Sequence, residues 1–485
     1  MTQKIDRRPY KQRSKSRKAD KGAGGRSRSR NSGRESGARL ARNAPPIDLE
    51  ITHVGGRGDG VGKARYTHNH VSADHSVFVP GSLPGERVLA QPISINGQGI
   101  STELSEIILP SPERRDPDCA VFHVCGGCTL QHWQDDAVRN WKMQHVKAHL
   151  QRAKVEPAEI GEIEVSPRQS RRRATFHLKR LQNDVVAGFQ ERGSSRIITP
   201  EGCSVLRPEL TKLLDQLTPF AKAHFPVGID IDAVANCLDN GICLLLRGPA
   251  GWYDGVLEAL TVWAADHALA RLSVADNDTP DPLTLFAHSA PWLRFGEITV
   301  TPPPGGFLQA TIEAQTVLQN AVAGIIGEAG HVLDLFCGCG TLSLPLLNGR
   351  RHLTAVESDR LALAALKSAV DAAGRGAQLT CINADLANAP MMAASISEFD
   401  AVILDPPRSG AAAQCAHLAD SSVKIAAMVS CNPASFARDA ATLISGGFAL
   451  THLQVIDQFR FTSHVELVGT FTRDATSLRR KMKSN

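Results

Sequence analysis

The amino-acid sequence predicts an α/β protein: a doubly wound, Rossmann-like C-terminal domain, preceded by an OB-like β-barrel and a small α+β central domain carrying a cysteine cluster. Three observations predict it. From Gly305 onward, apolar strand-type runs (HVLDLF, HLTAVE, QLTCIN, DAVILD, IAAMVS, FALTHLQVI) alternate with Ala/Leu-rich helical stretches. That rhythm gives a mostly parallel sheet with helices on both faces. Residues 47–107 read instead as short alternating strands broken by glycine turns, the pattern of a small barrel. Between the two lies Cys119-x5-Cys125-x2-Cys128.

The 485 residues leave room for several domains. No run of about 18 apolar residues predicts a membrane-spanning helix, and the polar, basic first residues hold no secretory signal core. A cytoplasmic monomer is expected. The net charge of +5 is uneven: residues 1–42 hold fifteen Lys/Arg against three acids, net +12, and the rest sums to −7. With almost no large apolar side chains, residues 1–44 are expected to be a disordered basic arm that binds phosphates without reading sequence. A solubilising tail is the plainer alternative.

Pro45 and Pro46 mark the boundary to the barrel, residues 45–108. Val77-Phe78-Val79 and Arg87-Val88-Leu89-Ala90 alternate as barrel strands do, with Gly81, Pro84 and Gly85 making a tight turn. A barrel beside a basic arm suggests an oligonucleotide-binding module. The central domain, 109–304, opens with the cysteines. A helix over Asp135–Arg152 follows, with Val138, Trp141, His145 and Leu150 on one face. Ser170-Arg171-Arg172-Arg173 leads into strands at 174–179 and 185–190. A helix at 209–223 and a strand at 241–247 form an α/β insertion to which the sequence assigns no task.

Eleven cysteines without a secretion signal argue against a disulfide framework. Cys119, Cys125 and Cys128 put three soft ligands on one loop, with Gly126 and Gly127 free to wrap a metal centre. A fourth must come from elsewhere. By chemistry alone, four thiolates hold zinc or an iron–sulfur cluster equally well.

In the C-terminal domain, 305–485, ligands are expected at the carboxyl ends of the strands. Asp334-Leu335-Phe336-Cys337-Gly338-Cys339-Gly340 follows the first strand and allows a ligand close to the backbone. A dinucleotide fingerprint would continue with glycine at 343, where Ser343 stands. Glu357, 23 residues after Asp334, ends the second strand, where an acid grips ribose hydroxyls. Asp385 follows the third strand, where a polar group can meet an adenine amino group, and Asp405 ends the fourth. The ordered acids indicate an adenosine cofactor. The missing glycine favours S-adenosylmethionine over NAD.

Asp405-Pro406-Pro407-Arg408 narrows the acceptor. Adenine amino-methylating enzymes favour an aromatic after the prolines, and RNA cytosine-5 enzymes a cysteine; Arg408 is neither. The next strand delivers Ser430-Cys431-Asn432-Pro433, placing a thiol at a parallel strand's carboxyl end, in surroundings expected to lower its pKa. Glu466 lies in a terminal strand within FRFTSHVELVGTFTR.

These segments, together with FVPGSLPGE, CGGC and GFLQ, resemble the RNA uracil-5 methyltransferase family, which modifies 23S ribosomal RNA and tRNA. The resemblance runs from about 47 to 473, is weakest between 206 and 300, and is closer to the iron–sulfur rRNA enzymes with a TRAM barrel. It implies that Cys431 is the nucleophile and Glu466 the general base. It implies cofactor contacts at Gln309, Phe336, Thr341, Glu357, Asp385 and Asp405. Thr341 departs from the family's common asparagine, and Asp385 is asparagine in some members. It further implies Cys203 as fourth ligand of a [4Fe–4S] cluster with Cys119, Cys125 and Cys128, structural or RNA-contacting. Cys237, Cys243, Cys337, Cys339, Cys381 and Cys415 are left to packing.

The implied reaction adds the Cys431 thiolate to uracil carbon 6, so that electron density at carbon 5 takes the methyl group. Glu466 then removes the carbon 5 proton and the thiolate leaves. A base inside a helix must flip out to be reached. The TRAM barrel together with the four-cysteine set favours 23S rRNA as substrate. Two alternatives stand beside it: a tRNA uridine-5 methyltransferase, and a noncatalytic RNA-binding assembly factor on the same scaffold.

Overall fold

The computed structural model describes residues 38–473 apart from Arg42, Asn69, Thr279 and Pro280. Nearly all of the expected basic arm, 1–44, lies outside the described residues. The chain divides into two compact units, one ending at Asp116 and including His132–Gln134, the other made of Pro117–Gln131 and the residues from Asp135 on.

The first unit is a closed barrel of five strands, Ile47–Val54, Asp59–His68, Val71–Pro80, Arg87–Asn96 and Gly99–Leu109. Its ladders are antiparallel except where Val77 and Phe78 pair in parallel with Ile100 and Ser101 to close the ring. Alternation puts Ile51, Val77, Val79, Val88, Ala90 and Ile100 inside. Gly62 is required by close approach, since a Cβ there would lie 2.3 Å from the Glu50 carbonyl oxygen. The tight turn after the third strand encloses Glu86. Its carboxylate accepts the Leu83 N–H at 2.8 Å and pairs with the Arg114 guanidinium at 2.5 and 2.8 Å. A bidentate pair of this kind answers the cost of burying the charge.

Within the second unit, a seven-stranded sheet runs Ile197–Ile198, Val185–Gln190, Arg173–Arg180, Asp230–Leu238, Gly241–Gly248, Arg271–Asp276, Leu283–Ala287. Helices Pro208–His224 and Leu257–Asp266 pack on it through Leu213, Leu217, Leu260 and Trp263. This is the architecture behind the insertion read at 206–300.

The eight-stranded sheet carries the doubly wound order. Its strands run Leu379–Asn383, His352–Glu357, His331–Leu335, Ala401–Leu404, Ile425–Ser430, Glu466–Thr472, Ala449–Asp457, Glu159–Val165. The five from Leu379–Asn383 to Ile425–Ser430 are parallel, and all but the edge strand Leu379–Asn383 are nearly continuous in buried apolar side chains, as burial on both faces demands. Helices Ile312–Ile326 and Arg360–Ala372 cover one face through Leu318, Val322 and Leu366. Helices Asp135–Arg152, Ala412–Asp420 and Pro433–Ser445 cover the other through Val146, Leu418 and Phe436.

Two elements inside the stretch read as central domain thus join the C-terminal sheet. Glu159–Val165 pairs in parallel with Ala449–Asp457 and covers an edge that would otherwise expose unpaired backbone groups. Helix Asp135–Arg152 buries Val138, Trp141, Lys142, Val146 and Leu150, so its inward face includes a lysine where the periodicity selected His145.

Candidate active site

The loop after strand His331–Leu335 is drawn over its neighbour, because the N–H groups of Phe336 and Cys337 both donate to the Val356 carbonyl, at 3.0 and 3.2 Å. Phe336 takes a left-handed φ of 63°. A non-glycine residue in that region costs about 1–3 kcal/mol and marks a constraint concentrated at ligand sites. Gly340, at φ 86°, could carry no side chain, since its Cβ would lie 2.6 Å from Leu344.

Three carboxylates, Glu357, Asp334 and Asp405, lie around this loop, and a fourth, Asp385, follows the third strand. Glu357 accepts the Gly338 N–H at 3.0 Å through Oε2, and the Ser358 and Asp359 N–H groups at 2.7 and 2.8 Å through Oε1. Oε2 therefore keeps lone-pair capacity for a hydroxyl donor. Asp334 is buried without a well-aligned hydrogen-bond partner for either oxygen. Burial raises it to about 7, with the nearby Ser343 hydroxyl opposing and Asp405 and Glu357 adding to the rise. Ser343, which replaces the third glycine, thus faces Asp334. Burial also raises Asp405 to about 7. Asp385 is exposed and turned into its own turn, accepting from Ala387 N–H at 3.0 Å and Asn388 Nδ2 at 2.7 Å. The Asn388 bond, first among the causes, holds it below the usual carboxylate range. Thr341 is half-buried on the glycine loop, its carbonyl accepting from Gln319 Nε2 at 2.8 Å.

The antiparallel ladder between Ile425–Ser430 and Glu466–Thr472 pairs Ser430 with Leu467. One residue further in that register, Cys431 stands opposite Glu466. Asn432 fixes the turn that carries the thiol: its Oδ1 caps helix Pro433–Ser445 at Ala434 N–H, 3.0 Å, and its Nδ2 donates to the Arg408 carbonyl, 3.0 Å.

The charge state of the thiol differs from expectation. Burial, followed by the nearby carboxylates of Glu466 and Asp405, pushes Cys431 up to about 11, against a smaller lowering by Arg408. The strand end supplies the right position, but surrounding acids outweigh the single cation. Glu466, 4% exposed, is raised to about 8 by burial and then by Asp405, against the Gln458 hydrogen bond. Gln458 Nε2 donates to Glu466 Oε2 at 2.7 Å and to Gln309 Oε1 at 2.8 Å. Gln309 is buried and so meets Glu466 through Gln458.

No motif or periodicity in the sequence singles out Gln458, Lys142 or Asp457. The Lys142 ammonium pairs with Asp457 at 2.6 Å, both side chains buried, and donates to the His464 carbonyl at 3.0 Å. It thereby holds the loop between the last two strands. The readable signal was a polar Asp457-Gln458 step directly after an apolar strand.

The cysteine loop is also in the second unit. Cys119 and Cys125 are buried, Cys128 and Cys203 half-buried, and all four are free thiols. Among the described residues, no three His, Cys, Asp or Glu side chains are arranged to hold a metal ion. The four nonetheless share one environment. Burial pushes Cys128 up to about 12, with Cys203, Cys125 and Cys119 each adding to the rise. Gly127 N–H donates to Cys125 Sγ at 3.4 Å. Gly126 lets the loop touch the next strand, since a Cβ there would sit 2.7 Å from the Gln190 oxygen. Cys237, Cys243, Cys337, Cys339 and Cys415 are buried and Cys381 half-buried.

Residues 304–473 match the tRNA (Uracil-5-)-methyltransferase family model. An uncharacterized RNA methyltransferase of Brucella suis is 34% identical over 425 residues, 88% of this chain and 97% of that protein. The 23S rRNA (uracil(1939)-C(5))-methyltransferase RlmD of Vibrio parahaemolyticus is 30% identical over 416 residues, 82% of this chain and 91% of its own length. The chain belongs to the RNA uracil-5 methyltransferase family. It is an S-adenosylmethionine-dependent enzyme. The same fold occurs in the tRNA (uracil-54, C5)-methyltransferase of Pyrococcus abyssi, solved with S-adenosyl-L-homocysteine (TM-score 0.66, 19% identity, 88% of this chain and 99% of that one). The residues of this methyltransferase's crevice fit the cofactor: a glycine loop in which Gly340 has no room for a side chain, a buried carboxylate at Asp334 without a well-aligned hydrogen-bond partner, and spare acceptor capacity on Glu357.

Proposed function

We propose that this methyltransferase modifies carbon 5 of a uridine in 23S rRNA through a covalent bond between Cys431 and carbon 6 of the base. The observation that carries the chemistry is the strand register setting Cys431 opposite Glu466 at the end of the cofactor sheet. Similarity to RlmD over most of both chains supports the ribosomal substrate. Gln309, Phe336, Thr341, Glu357, Asp385 and Asp405 hold the cofactor, whose sulfonium supplies an electrophilic methyl group.

Cys431 loses its proton to solvent water and the thiolate adds to carbon 6, moving the carbon 5–carbon 6 electron pair into an enolate. Carbon 5 forms the new bond to the methyl group as the methyl–sulfur bond breaks, its electron pair remaining on sulfur, so that S-adenosylhomocysteine would be the leaving group. Glu466, as carboxylate, takes the carbon 5 proton; the pair left behind restores the double bond as the carbon 6–sulfur bond breaks and the thiolate departs. Asp405 and Glu466, both raised by burial, are the groups that a bound sulfonium cation would favour as carboxylates.

The test is to incubate RNA from a strain lacking the gene with enzyme and labelled S-adenosylmethionine, and to map the labelled nucleotide. Label at carbon 5 of one 23S rRNA uridine is the expected result. Label confined to tRNA would replace the substrate assignment, and no label in any RNA would favour an assembly factor. The +12 charge of residues 1–42 suits nonspecific phosphate contact during that search.

Cys119, Cys125, Cys128 and Cys203 are the residues that would hold a [4Fe–4S] cluster, for a structural or RNA-contacting role, since methyl transfer moves no unpaired electron. The nearness of Cys119, Cys125 and Cys203 to Cys128 and the N–H donated to Cys125 Sγ suit a thiolate-bound centre. Protein purified without oxygen is expected to be brown, with about four irons per chain, and Cys203→Ala to lose both colour and iron. Stoichiometric zinc without visible absorbance would assign the site to zinc instead.

A further inference from the structure

We infer that Gln458 is a positioning residue that aims the Glu466 carboxylate and the Gln309 amide together. This rests on the reading of Glu466 as the base that takes the carbon 5 proton. Gln458 is 3% exposed, at the first position after strand Ala449–Asp457, and Glu466 opens the antiparallel partner strand, paired with Ile456. Its side-chain amide has three partners. Oε1 accepts the Ala310 N–H at 2.9 Å, and Nε2 donates to Gln309 Oε1 at 2.8 Å and Glu466 Oε2 at 2.7 Å.

A backbone N–H can only donate, so the oxygen end of the amide must face Ala310. Both amide protons are then committed, one to each functional side chain. Glu466 Oε2 is occupied, which leaves Oε1 to receive a proton. Gln309 Oε1 is likewise occupied, so the Gln309 amino group turns away from Gln458.

The support is fixed on both sides. Arg172, fully buried, donates its N–H to Ala310 O at 2.9 Å, its Nε to Gln309 O at 3.1 Å and Nη2 to Gln315 Oε1 at 2.5 Å. On the other side, Asp457, the residue before Gln458, is paired with the buried Lys142 ammonium, which also holds the His464 carbonyl. A donor held this firmly costs little reorganisation when charge develops on its acceptor.

The charged groups around Glu466 make its hydrogen bond from Gln458 consequential. Asp405 and Cys431 face it from the neighbouring strand ends; Arg408 and His464 flank the loop; Asp457 and Lys142 lie beneath. Burial and Asp405 favour the protonated acid, and the Gln458 donor opposes them. Loss of that donor disfavours the carboxylate and frees its orientation.

Gln458→Met removes all three bonds at similar volume. Gln458→Glu keeps an acceptor for Ala310 N–H and removes both donors. Both full-length variants have their melting temperatures measured with S-adenosylhomocysteine bound and are followed in single turnovers with the RNA substrate, beside Glu466→Gln. Both are expected to methylate the base while resolving the adduct about 10²-fold more slowly, so that a denaturation-stable protein–RNA adduct accumulates. The acid limb of the resolution rate against pH is expected to move upward by about one to two units in Gln458→Met. If Gln458→Glu resolves the adduct like wild type, the Ala310 bond alone matters and the positioning role is overturned. It is equally overturned if Gln458→Met only melts lower, with resolution rate and pH limb unmoved. If Glu466→Gln itself accumulates no adduct, the reading of Glu466 fails first, and that outcome is distinguishable from the other two.

Discussion

Cys431→Ala is expected to abolish methyl transfer, by about 10⁴-fold or more, while leaving RNA affinity within a few-fold. Without a nucleophile at carbon 6, the uracil ring gives carbon 5 too little electron density to attack a methyl group, and no other group supplies it. Removal of a nucleophile from a preorganised site typically leaves only the catalysis due to binding and orientation. RNA affinity rests mainly on phosphate contacts that one thiol does not make. The substitution should also be structurally mild. Cys431 is half-buried, and the turn that carries it is held by Asn432, through the helix cap and the Arg408 carbonyl. Rates of labelled methyl incorporation and a binding isotherm on the same RNA check both halves. Methylation near the wild-type rate would remove Cys431 from the mechanism.

The resting thiol sharpens this expectation. With Cys431 pushed up to about 11, the free enzyme at neutral pH holds a thiol, and the proposed addition to carbon 6 requires the thiolate to form once substrates are bound. A cationic sulfonium among Asp405, Glu466 and Cys431 would act in the direction of lowering it. The sequence pointed the other way because it displayed the strand end and not the acids. Asp405 and Glu466 lie 26 residues before and 35 residues after Cys431, and only the sheet brings them together.

The same distinction separates what was legible elsewhere. The parallel strands of the C-terminal sheet were readable because strands buried on both faces are continuous apolar runs. Glu159–Val165, EIGEIEV, has no residue fully buried, so it carries none of that signal, and only the open edge of Ala449–Asp457 reveals its place. Lys142 reads as a solvent-facing helix residue, since lysines are rarely fully buried unless paired. Its partner Asp457 is 315 residues away. Gln458 escaped for a similar reason: a glutamine after a strand is unremarkable until Ala310, Gln309 and Glu466 are found around its amide. Cofactor acids recur at fixed positions along successive strands, whereas hydrogen-bond networks between distant segments leave no spacing to read.

Glu466→Gln is expected to add the methyl group and then stall, trapping a covalent protein–RNA adduct that survives denaturation. Glutamine preserves the shape and can still accept from Gln458, but it cannot take the carbon 5 proton; loss of general-base help typically costs about 10²–10⁴-fold. The wild-type pH dependence follows from the raised value of Glu466, about 8 against the usual 4.5. The reacting form is the carboxylate, so resolution of a preformed adduct should accelerate roughly tenfold per unit as pH rises toward 8 and level off above it. The stability sign is opposite. A folded-state value raised above the unfolded one means that the contribution of the protonated acid is complete below about 4.5 and lost as pH rises through about 8. Wild type should therefore lose stability relative to Glu466→Gln across that window, and the two melting temperatures should converge at low pH. Asp334 is raised in the same way but is present in both proteins, whereas Asp405 interacts with Glu466, so the difference between the curves reports Glu466 together with its interaction with Asp405. Full turnover by the variant, with no adduct and no pH-dependent divergence in melting, would show that the proton leaves by another route.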